Sequence, residues 1–83
     1  MRYHFDVHNG IGFTRDEEGQ NAADVPAARR IAIESVRSIV REEASKGMLD
    51  LRGKVDVRGE EADTLFTIAF IDAFELLLPP EGP

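Results

Sequence analysis

The chain has no cysteine. That excludes a disulfide staple, a thiolate zinc site and a cysteine nucleophile, and it suits a reducing compartment. It has no long hydrophobic run. The most apolar stretch, Leu65 to Ile71, is far shorter than the roughly 20 residues needed to cross a bilayer, and Thr67 interrupts it. The opening Met-Arg-Tyr-His-Phe-Asp has no apolar signal core. The expectation is a cytoplasmic protein that does not engage a membrane. Basic charge is also scarce. A net charge of −6 argues against general nucleic-acid binding, which rests on Lys and Arg neutralising phosphates. No internal repeat, low-complexity tract or linker stands out.

What is present is a globular composition of 83 residues, 42% hydrophobic and 31% charged. That length allows one domain and a modest core. The acidity is uneven: residues 24–47 carry a slight positive excess, while the segments on either side are negative.

That central segment has a sustained helical period. Asp24 is placed to cap the N-terminus, and Pro26 sits in the first turn, where its missing N–H is harmless. Gly47 is a natural stop, with Lys46 just before it. At about 100° per residue, one broad arc collects Val25, Ala28, Ala32, Ile33, Val36, Ile39, Val40 and Ala44. Its width suits packing on a sheet. Arg29 falls inside the arc, as a stem at the core edge, and Ile31 falls outside it. The opposite arc carries Arg30, Arg37 and Arg41, with Glu34 among them, over about 16 Å.

The flanks read as strands. Arg2 to His8 alternates, with Tyr3, Phe5 and Val7 on one face and His4, Asp6 and His8 on the other. Asn9-Gly10 is a turn signal, and Ile11 to Thr14 is a short returning strand. Arg15 to Gly19 is an acidic loop, and Gln20 to Ala23 leads into the helix. Met48 to Leu51 is a connector whose apolar residues are expected to cover the end of the core. Lys54 to Arg58 alternates again, with Val55 and Val57 inward, and Gly59 to Asp63 is a hairpin loop. Thr64 to Ile71 is apolar on both faces, with Phe66, Ile68 and Phe70 on one and Leu65, Thr67, Ala69 and Ile71 on the other. Such strands are usually central or lie under an interface. Asp72 and Glu75 have capping-box spacing, so Asp72 to Leu78 reads as a short helical turn or a continuation of the strand. The order β-β-α-β-β predicts an α+β fold: an antiparallel sheet of three or four strands with one long helix on one face. The domain is expected to span residues 1–78, with 79–83 as a C-terminal tail. One helix covers one face only, and the apolar set of the last strand then calls for a second copy or a protein partner.

The residues Tyr3-His4-Phe5-Asp6-Val7-His8-Asn9-Gly10, Asp16-Glu17-Glu18-Gly19, Asp24-Val25-Pro26-Ala27-Ala28-Arg29-Arg30 and Leu65-Phe66-Thr67-Ile68-Ala69-Phe70-Ile71-Asp72-Ala73 carry a resemblance. Together they resemble a small alphaproteobacterial, rhizobial-type family defined only as a domain of unknown function. That resemblance implies no activity, cofactor or site. The layout is also loosely similar to the antitoxin side of some toxin–antitoxin pairs, in which a small sheet-and-helix domain pairs with itself.

Candidate chemistry is sparse. His4, Asp6 and His8 share a strand face, but residues four apart on a strand are about 13 Å apart, too far for both imidazoles to hold one ion. They are expected to form a solvated face. Asp16, Glu17 and Glu18 lack the alternating ligands of a calcium loop and are expected to be solvated, pairing with Arg15 or Arg29. Gly10 and Gly12 lack phosphate-loop spacing. No Ser or Thr sits on a sharp strand-to-helix turn with a base beside it. No catalytic residue, metal ligand, cofactor or small-molecule substrate is expected. Arg30, Arg37 and Arg41 are the candidate partner-binding residues. The reading is a non-enzymatic protein-interaction or regulatory module, homodimeric or bound to a protein partner. The alternative is an antitoxin-like or other nucleic-acid-linked regulator using the arginine stripe.

Overall fold

The computed structural model describes residues 1–10, 12–61 and 63–81. Five strands and one long helix occur in the order β1 (Arg2–Asn9), β2 (Gly12–Thr14), β3 (Gln20–Asn21), α1 (Val25–Ala44), β4 (Lys54–Arg58) and β5 (Thr64–Ala69). A single 3-10 turn follows at Phe70–Ala73. The sheet is antiparallel and runs β2-β1-β4-β5, with β3 pairing β1 as well. This is the expected α+β architecture. Among the described residues no helix is long and apolar enough to cross a membrane.

The helix forms for the reasons legible in its sequence. Asp24 Oδ1 accepts from the Ala27 N–H at 2.9 Å, and Pro26 sits in the first turn. At the other end Gly47 takes φ +90°. Its N–H bonds to the Ala44 carbonyl, and the Met48 N–H reaches back to the Glu43 carbonyl. That pair is a Schellman closure, which a left-handed glycine makes possible. Ala28, Ala32, Val36 and Val40 are buried at a spacing of four. They join Tyr3, Phe5, Val55, Val57, Ile68, Phe70 and Ala73 in one core.

The expected inner arc is too long at both ends. Val25 and Ala44 are exposed, because the helix overruns the sheet that it covers. Ile31, placed outside the arc, packs against the core margin. Arg29 sits with its guanidinium 4.5 Å from the centroid of Phe66, a cation–π contact at the core edge.

Five other expectations are corrected. Asn9 belongs to β1, opposite Gly12, and not to the turn. Gln20–Asn21 form a short strand. Met48 and Leu49 are exposed, and of that connector only Leu51 packs on the core. β5 is an edge strand and ends at Ala69. The expected helical turn at Asp72 to Leu78 lies earlier, as the 3-10 turn Phe70–Ala73, and the chain from Phe74 runs without regular structure. Ile11 in the expected second strand, Ala62 in the hairpin loop, and Gly82 and Pro83 in the tail lie outside the described residues.

The 3-10 turn is fixed from two sides. The Phe70 N–H donates to the Gly53 carbonyl at 2.9 Å, and Arg37 Nε on the helix donates to the Ala73 carbonyl at 2.8 Å. The Phe70 ring lies where a Cβ on residue 53 would stand, 2.8 Å away, with the His8 carbonyl at 2.6 Å. Gly53→Ala is therefore expected to destabilise the fold by about 1–3 kcal/mol. Urea unfolding checks this, and an unchanged midpoint would show that the ring and backbone yield freely.

Candidate functional site

The face of the sheet opposite the helix collects the polar residues of β1 and β4. Their register sets His4 opposite Arg58, Asp6 opposite Asp56 and His8 opposite Lys54. On β5, Thr67 lies opposite Asp56. Two carboxylates directly opposed across a ladder repel. Here each turns to a different partner on the diagonal. Arg58 donates to Asp6 from Nε and from Nη2. His8 Nε2 donates to Asp56 Oδ2 at 2.9 Å, and the Thr67 hydroxyl donates to Asp56 Oδ1 at 2.6 Å. Phe13 on β2 lies against the His8 ring, centroids 4.6 Å apart.

The loop between β2 and β3 closes over one end of this face. Asp16 organises it. Its carboxylate accepts from the Phe5 N–H and from the Gly19 N–H, each at 3.0 Å. Its own N–H donates to Asp6 Oδ1. Its carbonyl accepts from His4 Nδ1 at 2.8 Å and from Arg58 Nη2 at 3.1 Å. Asp16 thus stands where a strand residue would pair with Phe5, in the gap between β2 and β3. The outcome is a buried ion pair on the face that no helix covers: Asp6 is 4% exposed and Arg58 8%.

Burial would raise the Asp6 pKa. The Arg58 hydrogen bond, the Asp16 N–H and the charges of Arg58 and Arg15 outweigh it and hold the carboxyl below its ordinary 3.8. Asp56 is also lowered, first by the Thr67 hydroxyl, against burial, and then by His8 and Lys54. Arg58 is raised, chiefly by its bond to Asp6. Away from this face, Asp50 falls to about 2 because Arg52 bonds to it through its side chain and its backbone N–H.

Of the expected solvated residues, His4 and His8 are partly exposed, but Asp6 is buried. Asp16 pairs with backbone groups and lies beside Arg58, not with Arg15 or Arg29; Glu17 and Glu18 are exposed. Sequence reasoning missed Arg58, Asp56 and Thr67 as members of one network. The signal was there: alternation put Lys54, Asp56 and Arg58 on one wet face, with charges complementary to His4, Asp6 and His8. Among the described residues no three His, Asp or Glu side chains are grouped as metal ligands.

The arginine stripe is not uniform. Arg37 is held by the Ala73 carbonyl. Arg30 is exposed, and Arg41 makes only a loose 4.0 Å contact with Glu34. Arg41 also lines a shallow depression of about 660 Å³ with Asn9, Ser38, Ile39, Glu42 and Glu43.

Removing one partner of a buried pair leaves the other charge uncompensated. Asp6→Asn is expected to destabilise the chain by about 3–5 kcal/mol near neutral pH, read by chemical denaturation. The wild-type pair contributes in full above the ordinary carboxyl value of 3.8 and loses its contribution as pH falls through the depressed value. The variant's stability should therefore fall less steeply in acid than the wild type's, and parallel curves would contradict this. Asp16→Ala is expected to speed amide hydrogen exchange at Phe5 and Gly19, whose N–H groups that carboxylate accepts, while leaving Val55 and Val57 protected.

No curated protein matches the chain, and no solved structure does. A family match covers residues 2–71, which include all five strands, the helix and every member of the open-face network. The chain belongs to the family defined as domain of unknown function DUF6894.

Proposed function

We propose that this chain is a small non-enzymatic protein-interaction or regulatory module, working in the cytoplasm as a homodimer or with a protein partner. The module spans residues 1–78, and its family is of the rhizobial type within the alphaproteobacteria. One contrast carries the reading. The side chains with chemical potential are engaged with one another: Asp6 with Arg58, Asp56 with His8 and Thr67, His4 with Asp16. Meanwhile Phe13, Leu65, Ile71, Leu76, Leu77 and Leu78 stand exposed. Small soluble proteins rarely leave this much apolar surface bare unless something binds it.

The arginine stripe supplies charge on the outer side of α1. Arg30 and Arg41 offer cations to an acidic partner, while Arg37 contributes its position and keeps its bond to the 3-10 turn. Capture of a partner from native lysate tests this. The expected result is a protein retained after nuclease treatment and lost in the double variant Arg30→Glu, Arg41→Glu. That variant spares Arg37, so the fold stays intact. Capture that vanishes with nuclease and falls steeply with salt would refute the reading in favour of a nucleic-acid-linked regulator.

A further inference from the structure

We infer that the outer edge of β5 is where a second copy of this chain docks, strand to strand and antiparallel, so that two sheets become one. The inference rests on the homodimeric reading above and adds its location and register.

The backbone parity of the sheet identifies which groups are free. On β1, Tyr3 and Val7 pair with β3 and β2, and the Phe5 N–H goes to Asp16. The odd residues of β1 therefore direct their N–H and C=O away from β4. In an antiparallel ladder these directions alternate residue by residue. Val55 and Val57, opposite Val7 and Phe5, thus direct theirs towards β5, where they meet Ile68 and Phe66. The Phe70 N–H to Gly53 carbonyl bond continues the same parity. Thr67 and Ala69 are left with backbone groups pointing outward, with no strand beyond them among the described residues.

The charge pattern selects a second copy as the occupant. Edge strands are normally guarded by lysine, proline or covering segments. The other edge of this sheet is guarded, by two short strands and the Asp16 loop. On β5, residues 64–71 contain no charge and no proline, in a chain of net charge −6. Two copies of so acidic a chain repel over most of their surface, and this neutral strip is where they can approach. A two-fold axis at Ile68 sets Thr67 opposite Ala69 of the second copy, and Ala69 opposite its Thr67. That forms four backbone hydrogen bonds. Leu65, 50% exposed, and Ile71, 46% exposed, flank this seam. An edge pair of this length buries less than a standard interface of about 1,600 Å², so the dimer should dissociate in the micromolar range.

The test uses a substitution that the folded chain accepts. Ala69 has φ −72° and ψ 143°, which proline adopts without strain, and its N–H is not in the β4 ladder. Sedimentation of the full chain from low to high micromolar concentration should show a monomer–dimer equilibrium. Ala69→Pro removes two of the four bonds and should weaken that equilibrium by about tenfold or more, with the thermal midpoint of the dilute monomer unchanged or raised. A variant that dimerises like the wild type would overturn the edge assignment while leaving the homodimer standing. A wild type that stays monomeric throughout would overturn both. Amide exchange on the wild type is independent of the variant's folding. Thr67 and Ala69 should gain protection with concentration, whereas Phe66 and Ile68 should be protected at every concentration. Rapid exchange at Thr67 and Ala69 in a dimeric sample would sink the proposal.

Discussion

The Asp6–Arg58 ion pair is the constraint on which the open side of this fold depends. A sheet with one helix has a second face to account for, and a chain this short has no second helix to spend on it. Here that face is made polar, and its centre is then sealed. Taking two charges out of water carries a desolvation penalty of several kcal/mol per ion, offset only when geometry and hydrogen bonding are complete. They are complete here: Asp6 accepts from Arg58 and from the Asp16 N–H, and Arg58 also reaches the Asp16 carbonyl. No buried side-chain nitrogen or oxygen lacks a partner among the described residues. A slip of one residue between β1 and β4 would turn Asp6 into the core beneath the helix, so the ion pair selects the register in which the valines of β4 face α1.

The same chemistry gives the sheet two unlike edges. Beyond β1, two fragments of strand leave a gap at Phe5, and the Asp16 carboxylate fills it, accepting the N–H that a longer strand would have taken. Its carbonyl and N–H, meanwhile, cover the ion pair. One acidic residue thus ends an edge and roofs a face. Among the described residues β5 has nothing equivalent. Its register shift opposite Val57/Arg58 leaves Leu65 without a cross-strand partner and turned to solvent, and no strand of the described residues pairs with its outer edge.

Much of the fold was legible because it follows from local rules. Asp24, Pro26 and Gly47 bounded the helix within a few residues, and the alternation of Tyr3, Phe5 and Val7 against His4, Asp6 and His8 assigned the faces of β1 correctly. The failures share a cause: periodicity gives a face but not what lies over it. Asp6 was read as solvated because the loop that buries it comes ten residues later and shows only charge. Gln20 and Asn21 have no apolar signal, since they pair along the rim and not over the core. The two-faced apolarity of Thr64 to Ile71 suggested a strand that is central or lies under an interface; β5 lies at the edge, so it is not central. Val25 and Ala44 fit the helical period but pass beyond the sheet, whose extent the helix sequence does not encode. The arginine stripe was legible as a pattern, but the use of Arg37 as a clasp on the Ala73 carbonyl depends on a turn more than thirty residues away.

Charge then decides which surfaces can meet. Several of the chain's few cations are committed: Arg58 to Asp6, Arg52 to Asp50, Arg29 to the Phe66 ring and Arg37 to the 3-10 turn. These commitments shape the sheet and its margins and leave the carboxylates of Glu17, Glu18, Glu60, Glu61 and Asp63 exposed. A surface so populated resists its own kind at short range, though salt screens the repulsion over about 10 Å. Contact between identical acidic chains is therefore favoured where charge is absent and directional bonds remain unmade. Of the sheet's two edges, that of β5 offers the longer uncharged strand, because on the other side two short strands and Asp16 take up the outer groups of β1.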